Sequence, residues 1–408
     1  MEFILNYGFQ KIYNKSTMKV LMICDTFLPD IGGAEIHVLE LSRKLENIGY
    51  QIKICTASKG PHKMENLIVL RIPGIKGGGL RAFLYSFLAT PRIAKFAADV
   101  DVIHCHYSYL MALWGCILGK ILRKPTVITL HGLGTLDSSV KGSFLKQTYR
   151  LLSLLLADKI IATSDEMMDV AKRFVPNSRI VVIPNGVDTN KFKHNYNQFT
   201  RRDKIIVLSM RRLAPKNGVQ YLIEAAPYII NQLPDVEFWV AGRDKLEYYL
   251  KQRVNELQIT HYFRFLGNIS HEKTKDIYAQ ADICVFPSSA ESTSLACMEA
   301  MAMQKAVVAS ALRPYKELLG NNERGILVEL FERDTSDYDA PLALSKDKYE
   351  LLARSITFLA HNKEIRETLG EKARQFVCDN YDWQQIANRV AIIYESVMSY
   401  RCCHLSLK

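Results

Sequence analysis

Short apolar runs of strand length recur along this chain, and segments of helical period fill the gaps between them. In the first half the runs lie at 20–24, 52–56, 67–71, 102–105, 126–130, 160–162 and 181–183. They are rich in Val and Ile and mostly apolar throughout, as strands buried on both faces are. Between the first two lies 34–48, where Ile36, Leu39, Leu41 and Leu45 approximate one apolar helix face. The pattern lapses over 194–203, a polar stretch that reads as an interdomain linker. It restarts with runs at 205–209, 237–241, 263–266, 283–286 and 306–309. A polar stretch over 331–348 reads as a surface loop, and helical segments follow near 348–360, 363–379 and 383–398. Such alternation predicts an α/β fold of two Rossmann-like, doubly wound parallel-sheet domains, and 408 residues suffice for two cores. Ligands of open parallel sheets bind beyond the carboxyl ends of the strands, so the expected site is the cleft between the domains.

The expected division is an extension at 1–17, a first domain at 18–193, the linker, a second domain at 204–382, and a final helix with its tail at 383–408. The first strand begins just after Met18, and 1–17 lack the apolar core of a signal peptide. The best candidate for a membrane span, 107–122, carries Lys120 and falls short of the roughly 20 apolar residues a span needs. Nine cysteines, an odd number with no Cys-x-x-Cys pair, indicate neither a disulfide framework nor a zinc site. Small buried hydrophobes in a reducing cytoplasm are the expectation, with Cys402-Cys403 open to lipidation. The net charge of +11 is concentrated in residues 1–192, which hold 24 Lys and Arg against 15 Asp and Glu. Nucleic acid, an anionic membrane face or a phosphorylated substrate would each answer that excess. The basic residues form no arginine-rich run with aromatics, so nucleic acid is not expected as a partner.

Residues with chemistry fall just after strands. Gly32 and Gly33 precede a helix, where bare amides approach a phosphate, although Gly-Gly also serves a plain tight turn. His104 and His106 flank the end of the 102–105 strand; with no third ligand evident, hydrogen-bonded structural roles are expected and no metal site. His131 ends the next strand and offers an imidazole to a sugar hydroxyl or a backbone carbonyl. Arg212 and Lys216 lie between a strand end and a helix start, a good setting for a diphosphate unless they are plain surface charge. Glu291 follows a buried strand, and Glu299 sits among Leu295, Met298 and Met301. A carboxylate in apolar surroundings needs a partner, which ribose hydroxyls would supply; a capping Glu291 with a half-exposed Glu299 is the plain alternative.

Taken together, Gly32-Gly33-Ala34-Glu35, His131-Gly132, Pro184-Asn185-Gly186-Val187-Asp188, Arg212-Leu213 with Lys216 and Gly218, Phe265-Leu266-Gly267 and Glu291-x7-Glu299 resemble the retaining group 1 nucleotide-sugar glycosyltransferases of GT-B architecture. The resemblance covers nearly all of 19–399. It implies that Gly32 and Gly33 lie against the donor diphosphate, that His131 approaches the transferred sugar, and that Arg212 and Lys216 neutralise the leaving group. Gly267 would line the donor site, Glu291 would contact the sugar, Glu299 the ribose, and the Ser294–Leu295 backbone a phosphate. It further implies acceptor binding on the first domain, nucleotide binding on the second, a final helix at 383–399 that crosses back to the first domain, and no cofactor beyond the nucleotide-sugar co-substrate.

The sequence departs from the family pattern in three places. Asn217 stands where a lysine is usual, Met303-Gln304-Lys305-Ala306 replaces a glycine–proline turn, and Leu312 to Glu317 replaces Gly-Gly-x-x-Glu. Expected function is metal-independent sugar transfer to a lipid-linked or glycan acceptor, in the cytoplasm or peripherally on the inner membrane face. Arg81, Arg92 and Lys95 in the apolar segment 80–98 fit an amphipathic helix on an anionic surface. A nucleotide-sugar epimerase or a non-catalytic nucleotide-binding relative on the same scaffold are the alternatives.

Overall fold

The computed structural model describes residues 18–405 apart from Ile31, Glu65, 74–79, 108–109, 132–143, 194–203, Ser292 and 332–342. The extension 1–17, the linker 194–203, Gly132, most of the 331–348 loop, and the side chains of Arg81, Cys402 and Cys403 lie outside that description. The chain divides into two compact units, Met1–Ala162 with Val170–Val181 and Ala387–Lys408, and Thr163–Asp169 with Val182–Ile386.

The first unit carries β1 (Lys19–Cys24), α1 (Gly33–Asn47), β2 (Gln51–Thr56), β3 (Lys63–Met64), β4 (Leu67–Arg71), α2 (Leu80–Ala97), β5 (Val102–His106), α3 (Leu110–Ile121), β6 (Thr126–Leu130), α4 (Phe144–Leu156) and β7 (Lys159–Ala162). A short helix α5 (Asp165–Ala171), assigned to the second unit as far as Asp169, and the strand β8 (Ile180–Val182) follow. The sheet order is β3-β4-β2-β1-β5-β6-β7-β8. β1 pairs in parallel with both β2 and β5, Val20 lying opposite Ile52 and Val102. Strand order therefore reverses at β1/β5, the switch point where such sheets take ligands. Along α1 the buried face runs through Val38, Leu39, Leu41 and Leu45. Ile36 is only half-buried, while His37 is buried.

The second unit carries β9 (Ile205–Met210), α6 (Val219–Gln232), β10 (Val236–Ala241), α7 (Glu247–Glu256), β11 (Phe263–Gly267), α8 (Thr274–Gln280), β12 (Ile283–Phe286), α9 (Leu295–Ala302), β13 (Ala306–Ser310), α10 (Arg313–Leu319) and β14 (Ile326–Val328). Then come α11 (Lys346–His361), α12 (Lys363–Asn380) and α13 (Trp383–Leu405). Six strands run in the order β11-β10-β9-β12-β13-β14, and each adjacent pair is parallel. Two cores flank this sheet. Val207, Phe238, Val240 and Val285 face one, while Leu208, Trp239, Cys284 and Phe286 face the other, the two-residue period of a strand covered on both sides.

Two segments expected in the first domain, 163–169 and 182–193, fall in the second unit. Residues 182–193 belong to the second unit, because Val187 bridges to Asp382 and Phe192 is buried beside Tyr278. Helix α13 starts in the second unit and from Ala387 belongs to the first. All seven cysteines whose side chains are described are free, and only Cys378 is not buried.

Candidate functional site

In the second sheet the strand order reverses at β9/β12, so the loops leaving those two strands meet. The first residue after β9 is Arg211. Its guanidinium donates to the Ser288 hydroxyl and to Glu291 Oε2, and reaches Tyr315 Oη at 2.6 Å. Tyr315 donates to Glu291 Oε2 at 3.4 Å, and the Ser288 and Tyr315 hydroxyls are 3.2 Å apart. The guanidinium carbon also lies 5.6 Å from the centre of the Phe286 ring. A planar fork held by a carboxylate, two hydroxyls and an aromatic face is fixed in position.

Arg211 was not among the expected site residues; its neighbour Arg212 was. Arg212 is exposed, and its carbonyl accepts from Asn217 Nδ2 at 2.7 Å. Asn217 thus closes the loop internally, which gives this departure from the family pattern a structural role. The loop is tied to the next one where the Ser289 amide donates to the Lys216 carbonyl at 2.9 Å. Gly218 ends it in the left-handed region, φ 77°, and a Cβ there would lie 1.9 Å from the Pro287 carbonyl oxygen. No other residue fits so close to that backbone. Burial pulls the Lys216 ammonium below its ordinary pKa; Glu291 opposes the fall, and Arg212 and Arg211 add to it. Lys216 therefore shares a field with Glu291 and both arginines.

Glu299 projects from the second turn of α9, whose cap Ser294 accepts from the Cys297 amide at 3.3 Å. Its surroundings are less apolar than expected. Tyr278 donates to Glu299 Oε2 at 3.2 Å, and His271 Nε2 lies 3.4 Å from Oε1. Lys191 Nζ sits 2.6 Å from His271 Nδ1. An ammonium only donates, so Nδ1 accepts and Nε2 carries the proton toward Glu299. Sequence reasoning missed Lys191, His271 and Tyr278, which lie far from Glu299 along the chain.

The Pro184-Asn185-Gly186-Val187-Asp188 element acts on the same region by bracing it. Asn185 Nδ2 donates to Thr293 Oγ1 at 2.7 Å, just before the α9 cap. Gly186 lies flat on Trp383, where a Cβ would meet the indole at 2.5 Å. Asp188 Oδ1 accepts from the Asn190 and Lys191 amides at 3.1 and 3.0 Å, a turn that delivers Lys191 to His271. Tyr315 comes from the 312–317 departure, on α10. Gln304, in the other departure, takes a left-handed turn at φ 55° between α9 and β13. Gly267 ends β11 at φ 67°, and its carbonyl accepts from the Gly242 amide at 2.7 Å.

In the first unit α1, β5 and the segment after β6 gather four histidines. Gly32 is the N-cap of α1 in extended backbone, Gly33 is the first helical residue, and Glu35 accepts from Thr26. His104 on β5 has Tyr394 Oη 2.6 Å from Nδ1 and Thr129 Oγ1 2.7 Å from Nε2, a fully partnered structural role. His106 Nδ1 is 3.0 Å from His131 Nε2. His131 thus meets an imidazole, where a sugar hydroxyl or a backbone carbonyl was expected. His37 stands edge-on to it, ring centres 4.5 Å apart. Burial, then His37, lowers His104 to about 3. Burial above all holds His106 and His131 well below their ordinary value as well, so both are neutral at pH 7. The third imidazole not evident in the sequence is His37, on the buried face of α1.

A family model described as Glycosyltransferase Family 4 matches residues 31–191, and one described as Glycosyl transferases group 1 matches 190–338. The chain is 26% identical, over 93% of its length, to the phosphatidylinositol N-acetylglucosaminyltransferase GPI3 subunit of Saccharomyces cerevisiae, of which it covers 83%. It is 25% identical, over 93% of its length and 97% of the relative's, to the phosphatidyl-myo-inositol mannosyltransferase of Mycobacterium tuberculosis. Among solved structures, Anabaena HepE in complex with UDP and glucose matches with a TM-score of 0.74 at 20% identity, covering 93% of this chain and 100% of that one. At that identity the likeness is one of fold.

Proposed function

The chain belongs to the group 1 glycosyltransferases, and from that premise we propose retaining, metal-independent transfer of a sugar from a nucleoside diphosphate to a lipid-linked or glycan acceptor. One observation carries the reading: Arg211, Lys216 and Glu291 converge where β9 and β12 part, beside the start of α9. Two cations, Lys216 and the exposed Arg212, would take the diphosphate, with the Ser294–Leu295 backbone adding amide dipoles. Fixed cations stabilise a departing diphosphate in the way a bound metal ion otherwise does. Glu299, already oriented by Tyr278 and His271, would accept from the ribose hydroxyls. Arg211 and Tyr315 fix the plane of the Glu291 carboxylate toward the sugar. Retention follows from departure and attack on one face of an oxocarbenium-like transition state. The first unit's share is acceptor binding, with His131 toward the sugar and Gly32 and Gly33 toward the diphosphate.

A thermal-shift comparison of UDP, GDP and ADP, with and without EDTA, tests the donor site. One nucleotide class at 100 times its Kd should stabilise the protein by about 2.7 kcal/mol. The shift should survive EDTA and vanish in Glu299→Ala. Absence of any shift would sink the reading, and loss of the shift with EDTA would remove its metal-independent part. Incubation with donor alone serves as the control for an epimerase, which needs no acceptor.

The lipid-linked acceptor draws support from the two lipid-named relatives and from α2. On that helix Leu84, Phe87 and Leu88 are 55, 65 and 75% exposed, at helical spacing, with Arg92 and Lys95 exposed one to two turns on. Among the described residues no helix is long and apolar enough to cross a membrane. Contact with an anionic cytoplasmic leaflet is the reading proposed for this face. Liposome flotation should recover more protein on anionic than on neutral vesicles, and Phe87→Ser with Leu88→Ser should abolish the difference. Equal recovery on both would remove the electrostatic argument.

A further inference from the structure

We infer that His37, His106 and His131 form a binding site for a divalent transition-metal ion of the zinc, cobalt or nickel class. One nitrogen from each lies within 4.8 Å of the other two. The three rings come from separate elements, α1, β5 and the segment after β6. Pairing of His106 with Thr129 fixes the register of the two strands. With metal–nitrogen bonds of about 2.0–2.1 Å, tetrahedral ligand nitrogens stand about 3.3 Å apart. His106 Nδ1 and His131 Nε2 are already at 3.0 Å, so they need only part slightly while His37 rotates in.

The donor set selects the metal. Three imidazoles with no carboxylate suit zinc, cobalt or nickel, whereas magnesium and calcium demand oxygen. Three protein ligands also leave a fourth position for water. His106 is 1% exposed, so its share of the site is shut off from bulk water.

The consequence for activity rests on the proposed role of His131 at the sugar. An ion that takes a His131 nitrogen withdraws that ring from the transferred group, so occupancy inhibits transfer and a chelator restores it. The site is therefore a brake on the reaction and is compatible with metal-independent chemistry.

Cobalt(II) is the probe, added to tag-free, EDTA-treated protein with no nucleotide or acceptor present. A saturable visible absorption of a low-coordinate cobalt site, one ion per chain and displaced by zinc, is expected. His37→Ala and His106→Gln should each weaken binding at least ~10-fold. His62→Ala, an exposed histidine outside the cluster, should leave it unchanged, and thermal melting checks that each variant folds. Unsaturable uptake with the spectrum of hydrated cobalt, or equal affinity in the cluster variants, would overturn the inference. Because no donor is present, that failure is separate from any failure of the transferase reading, which the nucleotide shifts report.

Discussion

Arg211→Met should lower the unfolding free energy by about 3–5 kcal/mol, read as a fall in the denaturant midpoint of the second unit. The side chains of Arg211 and Glu291 are only 7 and 12% exposed. Truncating one partner of such a pair leaves the other charge buried without compensation. Here it also strips a donor from Ser288 and Tyr315. Arg211→Lys keeps the charge and loses the fork that reaches three acceptors at once, so its midpoint should fall between the two. Arg212→Met, on the exposed neighbour, should stay within about 0.5 kcal/mol of the wild type. A wild-type midpoint in Arg211→Met would show that the cluster contributes nothing to folding.

Lys216→Met should lower kcat by about 10²- to 10³-fold with little change in the unfolding midpoint. The ammonium is partly desolvated and shares a field with Glu291, Arg212 and Arg211. In that setting a fixed charge is worth more against a developing phosphate charge than in water. A methionine of similar length preserves the packing of the stem, so the loss isolates the charge. Lys216→Arg should recover part of the rate. Unchanged kcat with a raised KM would mean that Lys216 binds donor and transition state equally, and the leaving-group role would fail.

The strands were legible because parallel sheets covered on both faces leave uninterrupted Val and Ile runs, and every one predicted is present within a residue or two. The two missed, Lys63–Met64 and Ile326–Val328, are too short for any period to register. The candidate site was legible as far as each residue stood just after a strand. Arg211 and Arg212 could not be told apart, because beyond Met210 the alternation that decides inward from outward stops. Tyr315, His271 and Lys191 reach the site across 24 to 108 positions, through contacts that no local pattern encodes. His37 was hidden because the buried face of α1 was read from its apolar positions alone.

The last helix imposes an order on synthesis. Val390, Tyr394 and Val397 are buried, and Tyr394 is the partner that completes His104. Those residues belong to the unit whose first strand begins at Lys19. On a ribosome, which releases a chain from its N-terminus, the first unit starts to emerge before the second yet stays unfinished until the residues after Ile386 are released. The second unit, complete at Ile386, has its full set of residues first. Cutting the gene at 194–203 would yield an N-terminal half that lacks 387–405 and carries 163–169 and 182–193 of the second unit, so that cut separates neither unit whole.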